Sequence, residues 1–283
     1  MNTKPTIDDG RCTSCGRCAE VCPLNFIPVP GGKPRVAETA ADTCMLCGHC
    51  VAVCPSGAIR HTGLEGLEFP STERKADLGQ FMALLESRRS RREFSGRELS
   101  RQDVSTLLAA GAQAANGLNR RNVHYTVLTD RKVLRELAQR IGRQTAEFAD
   151  RLESPLWRAF FRLLMGAQYR EFRPFIPLFK PMAEEFRRGR DVVCYDAPCA
   201  ILIHTRRGDL CGGEDAVYCG ANILLAAEAM GLGACVIGFL TEPLNRDKAL
   251  ARLAGLPPGD TVRTSIVVGH PRFPYARGIR RPH

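Results

Sequence analysis

The chain has 283 residues, 44% of them hydrophobic and 25% charged; the length suggests about two domains, and a membrane span is excluded because no apolar run reaches the ~18–20 residues that crossing a bilayer requires. The net charge of +10 is uneven: residues 1–62 hold six Lys/Arg against five Asp/Glu, so the excess lies in the remainder, most of it as arginine. A basic surface attracts nucleic acid, anionic membrane or acidic protein, or supplies local phosphate contacts, and composition does not choose among these.

In chain order, Met1 to Gly10 is polar, without the apolar stretch of a secretory signal, and a cytoplasmic location is expected. Eight of the 13 cysteines follow within the first 54 residues, in two runs: Cys12, Cys15, Cys18, Cys22-Pro23 and Cys44, Cys47, Cys50, Cys54-Pro55. Each run reads C-x2-C-x2-C-x3-C-P. This is the bacterial iron–sulfur spacing in which the fourth cysteine of each run ligates the other cluster. Cluster one is expected on Cys12, Cys15, Cys18 and Cys54, and cluster two on Cys44, Cys47, Cys50 and Cys22. The crossing ties the two halves together, so a segment too small for a good apolar core can still fold. A disulfide framework would need an oxidising compartment. A zinc ribbon uses C-x2-C pairs, but not two quadruple runs each ending in C-P. Pro28, Pro30, Gly31, Gly32 and Pro34 read as a turn between short strands. Residues 5–62 resemble two-cluster bacterial ferredoxins, which implies two [4Fe–4S] clusters and one-electron carriage at low potential.

The ferredoxin-like domain is expected over 1–62 and a polar linker over 63–77. From 78 to 283 the pattern alternates helix and strand, an α+β layered domain. Leu78–Arg89 has helical apolar spacing. Ser100 can cap a helix from Arg101 to Ala115. Val123–Thr129 reads as a strand and 131–150 as a helix. Pro198–Thr205 reads as a buried strand, and Glu214–Met230 as a long helix ended by Gly231. Ala234–Phe239 and Val262–Gly269 read as further strands. Residues 151–190 form an aromatic-rich insertion with Trp157, Phe160, Phe161, Tyr169, Phe172, Phe175 and Phe179, read either as helix-packing core or as a lid over a pocket.

No G-x-G-x-x-G follows a strand and no G-x4-G-K-[ST] appears, so neither a Rossmann site nor a P-loop is expected. The six histidines are scattered and read as surface or satisfied groups. Cys194, Cys199, Cys211, Cys219 and Cys235 lack cluster spacing and read as small buried apolar residues. Three segments carry chemistry: Ser87-Arg88-Arg89-Ser90-Arg91-Arg92, Ala114-Ala115-Asn116-Gly117-Leu118-Asn119 and Gly231-Leu232-Gly233-Ala234-Cys235-Val236-Ile237-Gly238. With the basic tail Arg277-Gly278-Ile279-Arg280-Arg281, their order resembles the nitroreductase-like FMN oxidoreductases over residues 78–283. Taken alone, the Arg88–Arg92 run would read as a solvated basic patch or a nucleic-acid contact, but no recognised nucleic-acid module accompanies it.

That resemblance implies an antiparallel sheet wrapped by helices and an interlocked homodimer with FMN at the subunit interface. It also implies that Arg88, Ser90 and Arg92, with Arg89 beside them, hold FMN. Arg277 and Arg280 would complete the phosphate clamp, with Arg281 as a substitute. Ala115, Asn116, Gly117 and Asn119 would come from the partner subunit, and Val236, Ile237 and Gly238 would pass along the flavin N5 side. Guanidinium forks suit phosphate oxygens, and a cation near flavin N1 favours the anionic reduced form. The family often reads P-S-G-x-N-x-Q-P-W where this chain has Ala115-Asn116-Gly117-Leu118-Asn119-Arg120-Arg121-Asn122-Val123, without the Pro, Gln or Trp. The chain also stops at His283, soon after the basic tail, where many relatives continue into a strand that embraces the partner.

The expected function is an oxidoreductase in which reduced ferredoxin, or another low-potential donor, feeds the clusters. They reduce FMN, which reduces a small nitroaromatic, quinone or activated alkene. No catalytic side chain is needed because the cofactor carries the chemistry. Two alternatives stand beside it: reduction by NAD(P)H with accessory clusters, and a non-catalytic redox sensor or electron carrier. Neither nucleic acid nor membrane is an expected partner.

Overall fold

The computed structural model describes residues 4–72 and 77–281; of the expected 63–77 linker, residues 73–76 lie outside the described residues. The chain divides into two compact units. One runs to Ala76 and includes Gly117–Arg120; the other comprises Asp77–Asn116 and Arg121 onward.

In the first unit β1 (Pro5–Ile7) pairs antiparallel with β4 (Ile59–His61), setting Ile7 opposite Ile59 and Pro5 opposite His61. β2 (Phe26–Ile27) pairs with β3 (Arg35–Val36) across the Pro/Gly turn. The short helices α1 (Arg17–Val21), α2 (Ala40–Thr43) and α3 (His49–Ala52) complete it. Among the described residues its packed core cluster is small: Cys18, Ala19, Phe26, Cys50 and Ile59. Two of these five are cysteines of the two runs, and a core this small leaves room for metal ligation to contribute folding energy.

The second unit is built on a four-stranded antiparallel sheet in the order β5-β6-β8-β7. The strands are β5 (His124–Leu128), β6 (Cys199–Arg206), β7 (Gly233–Val236) and β8 (Asp260–Gly269). β6 is central and buried at every residue but its last. Its alternation feeds two cores. Ala200, Leu202 and Val267 face one, with Leu134, Leu137 and Ile141 of α6 (Arg131–Glu153) and Leu240 and Leu244 of α11 (Gly238–Arg246). Cys199, Ile201, Ile203 and Ile266 face the other, with Leu107 of α5 (Arg101–Ala112) and Cys219 and Ile223 of α10 (Gly212–Ala229). α5 begins at a capping box: the Ser100 hydroxyl accepts from Asp103 N at 3.0 Å and Asp103 Oδ2 from Ser100 N at 2.9 Å.

α4 (Leu78–Ser87) opens the unit, and the insertion folds as α7 (Pro155–Met165), α8 (Gln168–Phe172) and α9 (Ile176–Arg187). α9 packs closely on α6 because Gly142 has no side chain; a Cβ there would collide with the Phe186 ring. The expected strand Ala234–Phe239 is split. β7 stops at Val236, Ile237 N donates to Ser265 O at 2.8 Å, and Gly238 opens α11. A second short helix, α12 (Lys248–Leu253), starts where the Asp247 carboxylate accepts from Ala249 N at 2.7 Å.

Candidate functional site

In the first unit the two cysteine runs form matching loops. Ser14 and Leu46 both have positive φ (59° and 53°), and so do Gly16 and Gly48 (73° and 74°). The same left-handed turns recur at the same offsets. The chain then crosses. Cys12, Cys15, Cys18 and Cys54 line one small cavity, and Cys22, Cys44, Cys47 and Cys50 line another, so each cavity takes three thiols from one run and one from the other.

The donors around the sulfurs differ between the cavities. Cys54 Sγ accepts from Ala58 N at 3.2 Å and lies 3.7 Å from Ser56 Oγ. Burial raises its pKa, but these hydrogen bonds outweigh burial and leave the thiol below its ordinary value. At Cys50 burial outweighs the backbone hydrogen bond from Val51 and pushes the thiol up to about 11. Cys44 Sγ accepts from Leu46 N at 3.4 Å and meets His61 Nε2 at 3.2 Å. His61 Nδ1 accepts from Gly63 N at 3.0 Å, which fixes the tautomer of the neutral ring: the proton sits on Nε2 and donates to the sulfur. Burial holds the ring's pKa below its usual value. Sequence reasoning passed over His61; its signal was a histidine seven residues after the last cluster cysteine, in a strand.

In the second unit the arginine loop lies along β7, with Ser90 bridging Ala234 in parallel and Arg91 N donating to Ala234 O at 3.0 Å. This brings two of the predicted segments together. Arg92 and Val236, Ile237 and Gly238 open into one cavity of about 690 Å3. The rest of its wall is largely aromatic: Phe148 from α6, Phe161, Phe172, Phe175 and Phe179 from the insertion, and Phe239. Phe148, Phe161, Phe172 and Phe179 also pack edge-on or tilted against one another, with centroids 5.2–6.3 Å apart. The insertion is therefore both packing core and pocket wall. The Arg92 guanidinium stands 5.7 Å from the Tyr195 ring. Tyr195, Gln144 and Thr145 line the same cavity and were not predicted; no motif marks them.

The remaining predicted residues are placed as follows. Arg88 caps the end of α4, and Ser90 is exposed. Arg89 turns to the tail, its Nη2 donating to Ile279 O at 2.6 Å. Arg280 is paired with Glu86 at 2.7 Å, while Arg277 and Arg281 are exposed. Ala115 is exposed, and Asn116 Oδ1 accepts from Arg121 N at 3.3 Å. Gly117 and Asn119 belong to the first unit. There Asn119 Nδ2 donates to Met45 O at 2.9 Å and Leu46 O at 2.8 Å, within the Cys44–Cys47 loop. Of the other cysteines, Cys194, Cys199, Cys219 and Cys235 are buried and Cys211 is half-buried.

These residues fit an anionic planar group. Arg89 Nε and Arg91 Nε are buried without a hydrogen-bond partner among the described residues, so the loop carries donors in excess of local acceptors. An added Cβ at Gly238 would meet nothing within 4 Å, leaving room at the start of α11.

Comparison with known proteins matches both parts of the chain to described families. The nitroreductase family model matches residues 85–270 and a 4Fe-4S dicluster domain matches residues 11–58. A protein of Archaeoglobus fulgidus, named as an NADH dehydrogenase/NAD(P)H nitroreductase, is 23% identical over 191 residues, covering 68% of this chain and 85% of its own. Among solved structures, an FMN-bound nitroreductase from Bacteroides fragilis superposes with a TM-score of 0.53 at 20% identity, covering 70% of this chain and 94% of its own. An FMN-bound nitroreductase from Desulfitobacterium hafniense gives a TM-score of 0.53 at 18% identity, covering 72% and 96%.

Proposed function

Because the chain belongs to the nitroreductase family and carries a 4Fe-4S dicluster domain ahead of it, we propose that it is an FMN-dependent oxidoreductase whose two [4Fe–4S] clusters deliver electrons to the flavin for reduction of a small organic molecule. The observation that carries this reading is the cavity in which Arg92 and Val236–Gly238 meet an aromatic wall. When bound, the clusters supply one-electron storage and FMN supplies two-electron reduction of the substrate.

The chain's own residues bind, orient and exclude water. Arg92 supplies a permanent cation, held near Tyr195, for the electron-rich edge of the flavin. Arg88 and Ser90 lie on the same loop for the phosphate side, with Arg277 and Arg281 available from the tail. The backbone of Val236 to Gly238 gives close approach without side-chain bulk at Gly238. Phe148, Phe161, Phe172 and Phe179 exclude water and stack on a ring-bearing substrate. Nitroaromatics, quinones and activated alkenes conjugated to a ring suit such a wall. An open cavity supports turnover over a sealed electron carrier, and the family's homodimer supports a functional unit of two subunits.

The test is anaerobic. Protein reconstituted with iron, sulfide and FMN is expected to bind all three. Reduction of the clusters by a low-potential donor is expected to bleach the flavin band, and the band is expected to return on adding a nitroaromatic or a quinone. Clusters that reduce while the flavin stays oxidised overturn the relay. The archaeal relative's name motivates a second arm with NAD(P)H: bleaching by NAD(P)H alone, at a rate above that of the clusters, makes nicotinamide the donor.

A further inference from the structure

None of the eleven residues of α7 is buried, although the helix is strongly apolar. Leu156, Trp157, Phe160, Leu163 and Leu164 are 83%, 43%, 54%, 82% and 70% exposed. At about 100° per residue, Leu156, Phe160, Leu163 and Leu164 share one side of the helix with Trp157 at its margin. Phe161 and Met165 point the other way, where they line the aromatic cavity and Phe161 packs on Phe148 and Phe172. Arg158 and Arg162 take the remaining side, one turn apart. Single exposed leucines are ordinary, but a continuous apolar stripe marks a docking surface.

Charge selects the partner. Residues 151–190 hold nine Lys/Arg against four Asp/Glu, so half of the chain's net charge sits in about one-seventh of its length. Glu153 is paired with Lys180, and Glu185 with Arg188 and Arg190. Among the described residues, Arg158, Arg162, Arg170 and Arg173 have no carboxylate partner. A dimer contact that set this patch directly against its own copy would bring like charges together and be repulsive. The combination of Trp, Phe and Leu on one side of a helix with arginine on the other is that of a helix lying in a bilayer interface. At eleven residues, about 16 Å, α7 is too short to cross one, and no helix of the described residues is long and apolar enough to do so.

We propose that α7 is a membrane-surface docking helix: Leu156, Phe160, Leu163 and Leu164 enter the acyl boundary of an anionic bilayer while Arg158, Arg162, Arg170 and Arg173 contact lipid phosphates. The docking itself needs no flavin. It rests on the proposed function only in its consequence, that α7 is one wall of the aromatic cavity, so an apolar substrate is drawn from the lipid phase. This proposal departs from the expectation that no membrane is a partner.

Trp157 is the only tryptophan of the chain, so its fluorescence reports on α7 directly. The full-length reconstituted protein is mixed with vesicles of phosphatidylcholine containing about one-third phosphatidylglycerol, and with vesicles of phosphatidylcholine alone. On the anionic vesicles we expect co-sedimentation, a blue shift of emission and quenching by brominated acyl chains, all weakened by about 0.5 M salt. Leu163→Glu/Leu164→Glu and Arg158→Glu/Arg162→Glu are each expected to lower binding by roughly tenfold or more, with reduction of a water-soluble nitroaromatic unchanged. Wild-type protein that neither sediments with anionic vesicles nor shifts its emission overturns the proposal. So does a fall in solution mass in the glutamate variants, which would make the stripe a subunit contact. Vesicle binding without turnover would leave the docking intact and sink the enzymatic reading; the reverse would sink the docking alone.

Discussion

Replacing His61 by leucine should lower the reduction potential of cluster two and leave cluster one in place. The ring is 8% exposed, so leucine fills a comparable buried volume opposite Pro5 on β4. What disappears is the Nε2–H bond to Cys44 Sγ at 3.2 Å. A hydrogen bond to a charged group contributes about 1.5–3 kcal/mol, and the reduced cluster, one electron more negative, draws more of it than the oxidised one. If about 1 kcal/mol separates the two states, the one-electron potential falls by roughly 40 mV, since about 59 mV corresponds to a tenfold change. Cluster one is the internal standard, because no histidine reaches Cys12, Cys15, Cys18 or Cys54 among the described contacts; the polar partners there include Ser56 Oγ and Ala58 N. Redox titration followed by electron paramagnetic resonance resolves the two centres, and His61→Gln, which keeps an N–H donor, should recover part of the loss. Unchanged potentials in His61→Leu, or equal shifts in both clusters, would refute the assignment of the ring as donor.

Further outcomes follow from the same contacts. Cys22→Ser should remove cluster two and spare cluster one, although Cys22 lies in the first run; iron analysis and the resonance spectrum decide it, and loss of cluster one would disprove the crossing. Arg92→Ala should weaken FMN binding by roughly tenfold or more, the loss of one charged hydrogen-bonding group, read as quenching of flavin fluorescence. Asn119→Ala frees two carbonyls of the Cys44–Cys47 loop, and should speed iron release from cluster two under a chelator without changing that from cluster one. Gly142→Ala places a methyl against the Phe186 ring; overpacking of this kind costs about 1–3 kcal/mol, lowering the melting temperature by roughly 2–4 °C per kcal/mol for a domain this size.

Legibility followed the range of the underlying forces. Ligation of iron fixes residue type and spacing within a dozen residues, so the cysteine runs could be read directly. The strands of the antiparallel sheet were readable where burial is two-sided, as in Cys199–Arg206, because an unbroken apolar run has few other uses. Ala234–Phe239 read as one strand because Val236-Ile237 continue its apolar pattern, but pairing with β8 ends at Val236, and Gly238 then starts a helix whose Pro243 gives no helical signal in the sequence. The cavity wall was half legible. The aromatic side chains were visible as a composition, whereas their convergence with Gln144, Thr145 and Tyr195 depends on helix packing that no local pattern encodes.

The segment Asn116–Asn119 shows where a motif and a geometry part. Resemblance gave it to the flavin. In this chain both amide hydrogens of Asn119 are committed to Met45 O and Leu46 O, and an amide has no third. Leu46 is held at φ 53°, a conformation that costs a branched apolar residue free energy and persists only where surroundings enforce it. The same turn presents Leu46 N to Cys44 Sγ. Asn119 thus fixes the carbonyl side of a peptide turn whose N–H side faces a cluster ligand. The Pro, Gln and Trp that usually surround this position are absent from the same stretch. A side chain with only its carbonyl oxygen left to offer can accept a hydrogen bond from another group but cannot donate one, and here its two donors hold the Cys44–Cys47 loop.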